Sequence, residues 1–411
     1  MEVNPQWEKL IHNQQIYMPR LNPEIETFAR IKIIGVGGSG KNALNHMIHS
    51  KVKGVDFIVM NTDTQDLLAS MADTKIHIGK NLTKGLGAGM NPDVGKRAAE
   101  ETKAEIQDVM KGANMVFIAG GMGGGTGTGA APIVARASKE QGILTIGVVT
   151  KPFSFEGNQR MKLAEQGIAL LENEVDAIIV IPNDRLLSIA SKEMGFKQAF
   201  GICDEVLRQA VEGISDLITM PGDINVDFAD IKAVLTDAGT ALMGVGIAAG
   251  EDRARKAALD AINSPLLDVS INGAKGVLFS IAGGEDLGIL EIHEAAKIIT
   301  ESVDKEAKII FGTVQDTRLK KGEIKVTVIA SGFPTDSPRK SLFAREVIPG
   351  QAQVLPLRRD EEIGNMVPIK KEVHDTIAND FLIKKESEEN VEATDDEDDW
   401  SAVPAFLRRK K

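Results

Sequence analysis

The sequence predicts an α/β protein: a Rossmann-like domain with a parallel sheet, a long central helix, a second and smaller α/β domain, and a disordered C-terminal tail. Two patterns lead to this fold class. Short apolar segments alternate with helical segments, as in βαβ units. Many of the 40 glycines also cluster after predicted strands. Because glycine costs conformational entropy, such clusters indicate backbone shaped for a ligand or for tight turns.

The first α/β unit consists of buried strands with helices between them. The predicted strands, each a short apolar run, are Ile31–Gly35, Val55–Met60, Asn114–Ala119, Ile143–Val149 and Ala177–Ile181. Apolar residues at helical spacing predict helices at 41–50, 94–111, 128–140 and 160–173. This alternation is typical of a largely parallel sheet.

A long helix is predicted over 197–219, and Pro221-Gly222 ends its apolar pattern. A smaller α/β unit follows this helix. Its predicted strands are Ala241–Ala248, Gly276–Ala282, Lys308–Val314 and Lys325–Ala330. Its predicted helices lie near 251–262 and 286–302.

The chain divides into six predicted segments. They are a flexible N-terminal arm at 1–28, a nucleotide-binding domain at 29–196, the central helix at 197–221, a C-terminal α/β domain at 222–334, a disordered acidic linker at 335–397 and a partner-docking peptide at 398–411. An apolar run with a basic end inside the last segment is typical of a docking peptide; its residues are Val403, Pro404, Ala405, Phe406, Leu407 and Arg408. A disordered tail with chance hydrophobic residues is the alternative.

Composition excludes several classes of protein. Acidic residues exceed basic ones by 59 to 48, which argues against a general nucleic-acid binder. The single cysteine, Cys203, cannot form an internal disulfide or a cysteine-ligated zinc site. The chain has no apolar run of the roughly 18 residues that a membrane-spanning helix needs, and its N-terminus has no apolar signal core. We therefore expect a cytoplasmic protein.

The first glycine loop, Gly35-Val36-Gly37-Gly38-Ser39-Gly40, fits the pattern G-x-G-x-x-G between a strand and a helix. Its amides and the helix N-terminus can hold a phosphate. With Lys41 the loop also nearly fits a P-loop, but Asn42 stands where Ser or Thr binds Mg²⁺. This argues against an ordinary P-loop nucleoside triphosphatase, and a purely structural tight turn remains the alternative for this loop.

The second glycine loop runs from Gly120 to Gly129 and is more specific, because it leaves almost no side chains between the backbone and a ligand. Its amides can approach several phosphate oxygens, and Thr126 and Thr128 supply hydroxyl groups. Both loops are expected at the carboxyl ends of one parallel sheet. Together they suit a diphosphate or triphosphate, whereas a dinucleotide dehydrogenase normally needs only one such loop.

The run Gly124-Gly125-Thr126-Gly127-Thr128-Gly129 resembles the signature of the tubulin and FtsZ GTPases, the second being the bacterial cell-division branch. The resemblance extends from about Ile31 to Phe333 and includes the terminal peptide. Further segments that carry it are Asn61-Thr62-Asp63, Gly85-Leu86-Gly87-Ala88-Gly89, Lys151-Pro152-Phe153, Phe155-Glu156-Gly157, Ile181-Pro182-Asn183-Asp184 and Asn225-Val226-Asp227-Phe228-Ala229-Asp230.

The resemblance implies roles for particular residues in binding GTP or GDP. Phosphate contacts are implied for the two glycine loops, namely Gly37, Gly38, Ser39, Gly40, Lys41 and Asn42 in the first and Gly124, Gly125, Thr126, Gly127, Thr128 and Gly129 in the second. Ser39 and Lys41 are less usual than glycine at these positions of the loop, so a phosphate contact by either side chain is left as an open question. Ala88 and Gly89 would sense the γ-phosphate on a mobile loop.

The remaining implied contacts concern the ribose and the base. Glu156 and Arg160 would hold the ribose, with a surface position the alternative for Arg160. Asn183 and Asp204 would read guanine, since a carboxylate accepts from its N1–H and exocyclic amine. Phe200 would pack on the base, with ordinary core packing as the alternative.

Asn225, Asp227 and Asp230 are the candidates for catalysis. On local grounds the two carboxylates at a helix start predict a cap. The resemblance favours catalysis instead. The helix from Asp204 to Thr219 would span roughly 22 Å. If Asp204 contacts the base, as the resemblance implies, acids beyond the end of this helix cannot reach the nucleotide of their own subunit. They would reach that of a neighbour stacked head-to-tail, and such a contact builds a filament.

The resemblance therefore implies a GTPase that uses Mg²⁺, with K⁺ left open, and that polymerises into the scaffold of the cytokinetic ring at the division site on the inner face of the membrane. The docking peptide would bind membrane-tethering and regulatory division proteins. Neither a nucleic-acid partner nor a direct membrane span is expected. The alternatives are a nicotinamide-dependent oxidoreductase and a filament protein that binds GTP without hydrolysing it.

Overall fold

The computed structural model describes residues 29–187, 195–220, 222–264, 271–316 and 318–333, apart from the side chain of Phe196. All of them belong to one compact unit, Met1–Arg339. The predicted N-terminal arm, the acidic linker and the docking peptide lie outside the described residues.

The described residues form ten strands and twelve α-helices in alternation. The strands are β1 (Ile31–Val36), β2 (Val55–Asn61), β3 (Thr74–His77), β4 (Met115–Gly121), β5 (Leu144–Lys151), β6 (Ala177–Pro182), β7 (Gly239–Ala249), β8 (Gly276–Gly283), β9 (Lys308–Gln315) and β10 (Glu323–Ser331). The helices are α1 (Gly37–His49), α2 (Thr64–Leu68), α3 (Lys80–Thr83), α4 (Pro92–Glu101), α5 (Lys103–Met110), α6 (Thr126–Lys139), α7 (Asn158–Glu172), α8 (Asn183–Leu186), α9 (Phe196–Thr219), α10 (Phe228–Leu235), α11 (Arg253–Ile262) and α12 (Ile289–Glu301).

The strands lie in one sheet in the order β3-β2-β1-β4-β5-β6-β7-β10-β8-β9. Neighbouring strands from β3 to β7 are parallel, β10 is antiparallel to both β7 and β8, and β8 is parallel to β9. Because β1 has β2 on one side and β4 on the other, the order switches between β1 and β4. In open α/β sheets, this switch point is where ligands bind. The mixed α/β class and its mostly parallel sheet are confirmed.

The central strands are buried on both faces, which accounts for their continuous apolar sequences. Alternate residues point to opposite faces. Ile33 and Phe117 therefore pack with Leu207 of α9, whereas Ile34 and Ile118 pack in a second cluster with α6. The sheet is thereby held between helical layers, and the turns that follow its strands are fixed in position.

The central helix α9 runs from the carboxyl ends of the parallel strands to their amino ends. Near its start the ring of Phe200 lies 5.2 Å from that of Phe153, which follows the carboxyl end of β5. At its end Thr219 lies against Gly54, which precedes the amino end of β2, so that a Cβ on this glycine would be 2.8 Å from the threonine side chain. Its 24 residues correspond to about 36 Å of helix.

A group of charged side chains, most of them shielded from water, joins α9 to β10 and to the loop before it. The Arg318 guanidinium contacts Asp316 at 2.7 Å, Asp216 at 3.0 Å and Glu212. Lys325 of β10 lies 3.6 Å from Glu212 and 3.4 Å from Asp316. Glu212 also contacts Arg208 at 2.6 Å. Because Glu212 and Asp316 are almost fully buried, both carboxylates depend on their cations for charge compensation.

Several predicted elements need correction. The helix predicted at 94–111 is two helices, α4 and α5, which meet at Thr102. The Thr102 hydroxyl donates to the carbonyl of Ala98 and accepts the amide of Gly79, and this competes with a continuous helix. Helix α1 begins at Gly37 rather than at position 41, so the first glycine loop supplies its first turn. Strand β3 and the short helices α2, α3 and α8 were not predicted.

Candidate functional site

The two glycine loops touch each other at the carboxyl ends of β1 and β4. Gly37 has φ +73°, and a Cβ on it would lie 3.0 Å from the amide nitrogen of Gly127. A Cβ on Gly121 would lie 2.6 Å from the Ser39 hydroxyl. Only glycine allows the loops to approach this closely. The predicted convergence of the two loops is therefore what the structure shows.

The first loop presents a helix N-terminus that has no capping side chain. Val36 is the N-cap of α1, and its side chain makes no cap hydrogen bond. The first amides of a helix lack partners inside the helix, and they carry the positive end of its dipole. Gly38, Ser39 and Asn42 are exposed, whereas Gly37 and Gly40 are buried. This arrangement suits a phosphate group.

The second loop has its own threonine hydroxyls bound within the protein. The Thr128 hydroxyl accepts the amide of Gly123 at 2.8 Å, and the Thr126 and Thr62 hydroxyls lie 2.7 Å apart. Both threonines therefore hold the shape of the loop, a role that the sequence did not predict. A Cβ built on Gly124 would meet no atom within 4 Å, so the loop is open at this position.

The loop that contains Ala88 and Gly89 lies against the second glycine loop. A Cβ on Gly125 would be 2.8 Å from the Ala88 Cβ. Ala88 is buried, and Gly89 is exposed with φ +56°. A Cβ on Gly129 would lie 1.9 Å from the Pro92 carbonyl oxygen, which shows how closely α4 packs on α6. This contact between loops suits a group that responds to the occupant of the phosphate site.

The pair predicted for the ribose lies beside the second loop. The Arg160 guanidinium is 2.8 Å from the Glu156 carboxylate, whose other oxygen accepts the amide of Phe153. A Cβ on Gly123 would lie 2.7 Å from the Arg160 carbonyl oxygen. Within the described part of the chain, the buried Nε of Arg160 has no acceptor. Because this arginine can donate a further hydrogen bond, the pair suits a ligand that carries hydroxyl groups.

The residues predicted for the base converge beyond β5 and β6. Phe200 meets the edge of Phe153 at an interplanar angle of 78°. Asn183, at the start of α8, is 4% exposed. Its side-chain oxygen is buried without a donor among the described residues. Leaving such a group unpaired costs about 1–3 kcal/mol. A ligand that donates a hydrogen bond there would remove this cost.

Asp204 is the predicted acidic partner of the base. Burial raises the pKa of its carboxyl to about 6, and the charges of His46 and Lys41 act in the opposite direction. A carboxylate that is costly to keep charged is stabilised by a ligand that donates two hydrogen bonds to it.

The three candidate catalytic residues lie far from the loops. Asn225 accepts the amide of Gly222 at 2.9 Å, and Asp227 caps α10 by accepting the amide of Ala229 at 3.1 Å. Asp230 follows in the first turn, and all three residues are exposed. Their segment follows the end of α9 at the amino edge of the sheet, whereas the glycine loops lie at its carboxyl edge. The structure therefore does not bring them together within one chain.

An ion pair at the site was also missed by sequence reasoning. Lys41 forms an ion pair with Asp66 of α2, and the Asp66 carboxylate also accepts the side-chain amide of Asn61. The only signal was the polar turn Asn61-Thr62-Asp63 after a predicted strand. Nothing in the spacing of Lys41 and Asp66 reveals the pair.

The fold and the site define a class of protein: an α/β nucleotide-binding protein with two phosphate loops at the switch point of its sheet. Residues 30–191 match the Tubulin/FtsZ family, GTPase domain, and residues 239–334 match the FtsZ family, C-terminal domain. The structure is similar to that of an FtsZ dimer from M. jannaschii, with 43% sequence identity, a TM-score of 0.72, and coverage of 80% of this chain and 93% of that chain. The chain belongs to the FtsZ family of tubulin-like GTPases.

More distant structures agree in fold alone. The GDP-bound CetZ1 monomer from Haloferax volcanii is 23% identical, with a TM-score of 0.65 and coverage of 75% of this chain and 96% of that chain. Its homologue CetZ2, solved as a GTPγS-bound protofilament, is 21% identical, with a TM-score of 0.63 and coverage of 74% and 94%.

Family membership confirms the predicted class: a GTP-binding, tubulin-like GTPase of the cytoskeletal and cell-division proteins. No helix among the described residues is long and apolar enough to cross a membrane.

Proposed function

We propose that this chain hydrolyses GTP only between neighbouring subunits of a head-to-tail filament. The observation that carries this proposal is the placement of the two halves of the site. The phosphate loops lie at one edge of the sheet, and Asn225, Asp227 and Asp230 lie beyond the opposite end of a helix about 36 Å long. Acids so placed act on the nucleotide of another subunit.

In this proposal the nucleotide follows the predicted contacts. The amides that the helices leave free, from Gly37 to Gly40 at the start of α1 and from Gly124 to Thr128 in the second loop, bind the phosphates. Lys41, Asn42 and Gly129 lie beside them, and the amide of Gly129 is bonded to the carbonyl of Gly125. Ala88 and Gly89 respond to the γ-phosphate. Glu156 and Arg160 hold the ribose, Phe200 packs on the base, and Asn183 with Asp204 reads guanine. The unpaired oxygen of Asn183 and the buried carboxyl of Asp204 support this assignment.

The proposed reaction is the attack of water on the γ-phosphate, which gives GDP and phosphate. Asp227 and Asp230 of one subunit orient the attacking water, while the loop amides of the other stabilise charge on the phosphoryl oxygens. Asn225 fixes the turn that presents both acids through its bond to Gly222.

Mg²⁺ belongs to the proposal as the partner of the triphosphate. The described residues hold no cluster of three or more metal-ligating side chains. This fits Mg²⁺, which is usually bound through substrate phosphates, water and one or two carboxylates rather than in a protein cage. When bound, the ion would neutralise charge on the phosphate oxygens. Asp227 and Asp230 are the carboxylates proposed to approach it, or a K⁺ ion beside it, from the neighbouring subunit.

In the proposed contact, one surface of each subunit binds a different surface of the next subunit. Such a head-to-tail contact does not close, so it builds a filament. The related M. jannaschii protein was solved as a dimer, which supports self-association. We extend the proposal to the cytokinetic ring of a bacterial cell, on the inner face of the membrane. The peptide at 398–411 would dock membrane-tethering and regulatory division proteins, with no nucleic-acid partner.

The deciding experiment is GTP hydrolysis per subunit against protein concentration, with Mg²⁺ present. We expect turnover near zero below a threshold concentration and a rise above it, because a lone subunit lacks half of the site. A chain that ends at residue 397 serves as a control and should keep the threshold, since the docking peptide takes no part in assembly. Specific activity independent of concentration would contradict the shared site, and saturable NAD binding without GTP turnover would favour an oxidoreductase.

Binding of GDP should weaken as the pH falls below about 6, since burial raises the pKa of Asp204 to that value and the protonated carboxyl no longer accepts from guanine. The folded pKa lies above the ordinary value for aspartate, so the charged form is present only above it. Fluorescence titration of GDP between pH 5 and 8 measures the effect, at roughly tenfold per pH unit. In Asp204→Asn, binding should be weaker at neutral pH and independent of pH in this range. A pH dependence that survives in this variant would assign the titration to another group.

A further inference from the structure

Lys41 occupies a position that the chemistry of its own helix does not explain. It lies just after Gly37-Gly38-Ser39-Gly40, at the start of the second turn of α1 and toward the positive end of the helix dipole. Its side chain is only 11% exposed, so most of it is shielded from water. A cation in this place requires a nearby anion.

That anion is Asp66. The Lys41 Nζ lies 2.7 Å from Asp66 Oδ1. The other carboxylate oxygen, Oδ2, accepts the side-chain amide of Asn61 at 2.7 Å and lies 3.3 Å from the position that a Cβ on Gly38 would take. The carboxylate is therefore held directly against the first glycine loop.

A carboxylate at this place opposes the binding of a polyphosphate. Like charges a few ångströms apart repel strongly when they are partly shielded from water. Asp66 is itself in the first turn of α2, where an acidic residue is favoured, and its bond to Asn61 keeps it turned toward the loop. Without Lys41, the phosphate site would have a fixed negative charge on its rim.

We propose that the Lys41 side chain neutralises Asp66 and so admits the polyphosphate, which makes Lys41 a positioning residue whose ammonium group is not itself a ligand of the phosphates. This inference rests on the proposed nucleotide site and adds a condition for its occupation. It differs from the P-loop role of a lysine, because here the essential partner of the ammonium is a carboxylate of the protein.

A double-mutant cycle distinguishes a lysine that neutralises Asp66 from a lysine that binds the phosphates directly. The variants are Lys41→Met, Asp66→Asn and the double variant, and Asp66→Asn keeps an oxygen that accepts from Asn61. Calorimetric binding is measured with GTP, GDP and guanosine at pH 8, because the charge of Lys41 also lowers the pKa of Asp204 and this carboxyl must stay charged in every variant. We expect Lys41→Met to weaken GTP binding about tenfold, GDP less, and guanosine not at all. Asp66→Asn should tighten GTP binding, and the double variant should bind GTP nearly as the unchanged protein does.

Two results would overturn the inference. A double variant as weak as Lys41→Met would make the lysine a direct phosphate ligand. An equal loss for guanosine and GTP would make its role structural. Lys103→Met, which breaks a surface pair with Glu140 at 2.9 Å, is the matched control and should change nothing. If the unchanged protein binds no GTP, the proposed function fails first, and that outcome is distinct from a failed cycle.

Discussion

Replacing Asp230 by asparagine is expected to lower GTP turnover about 100-fold or more, while GTP binding stays unchanged. The exposed carboxylate is proposed to orient the attacking water in the neighbouring subunit, and it lies at the opposite edge of the sheet from its own nucleotide loops. Turnover is measured above the assembly threshold, and binding is measured below it. Asp223→Asn, which changes an exposed acid in the same segment, is the matched control and should retain turnover.

Mixing two inactive variants tests whether the active site is shared between subunits or is complete within one subunit. Gly124→Asp places a negative charge in the second glycine loop at a position with free space, so it should block nucleotide binding without disturbing the fold. Neither Gly124→Asp nor Asp230→Asn should turn over GTP alone. A mixture should recover activity, because some contacts pair an intact acid segment with an intact nucleotide pocket. A mixture that stays inactive while it copolymerises would contradict the proposal.

Replacing Arg318 by methionine is expected to lower the free energy of unfolding by about 3 kcal/mol. Glu212 and Asp316 are both almost fully buried. The change leaves Asp316 with Lys325 at 3.4 Å, and it leaves Glu212 with Arg208 at 2.6 Å and Lys325 at 3.6 Å. We take the lower end of the range for a broken buried ion pair, because the Arg318 side chain is 42% exposed. Urea unfolding with and without the change measures the loss. Lys320→Met, an 87% exposed neighbour, is the control and should leave stability unchanged.

The stability that is lost in Arg318→Met should also depend on pH. Burial and the charge of Glu212 raise the pKa of Asp216 to about 6. Because the folded pKa lies above the ordinary value for aspartate, protonation favours the fold, and this stabilisation disappears as the pH rises through 6. Without Arg318 the charged form is less favourable still, so the variant should lose more stability at pH 7 than at pH 5. An equal loss at both values would exclude Asp216 from the effect.

The fold class and the family were predictable because the relevant signals are local. A buried strand such as Ile31–Gly35 is apolar along its whole length, and the glycine loop at Gly124 has few structural alternatives. The break at Thr102 was not predictable, since it depends on a hydroxyl that bonds to Gly79, in a separate part of the chain. The edge strand β3 is short and half polar, so its sequence carries no periodic signal.

The site was predictable to a lesser degree. Residue types indicated Asn183 and Asp204, but only the structure reveals the unpaired oxygen of Asn183 and the raised pKa of Asp204. Local sequence predicted a cap at Asp227 and the resemblance favoured catalysis; the structure shows the cap, and the catalytic role stays a prediction. The pair of Lys41 and Asp66 depends on how α1 and α2 pack, which no spacing reveals. The domain boundaries and the roles of the site residues stay predictions.

The separation of loops and acids at opposite ends of α9 has a consequence for the ends of a filament. Under the proposed function, a filament of n subunits contains only n − 1 complete active sites. The subunit at one end keeps its GTP, because no neighbour supplies Asp227 and Asp230. The subunit at the other end offers acids with no substrate to act on. Growth and shrinkage are therefore chemically unequal at the two ends, and this polarity is already encoded in a single chain.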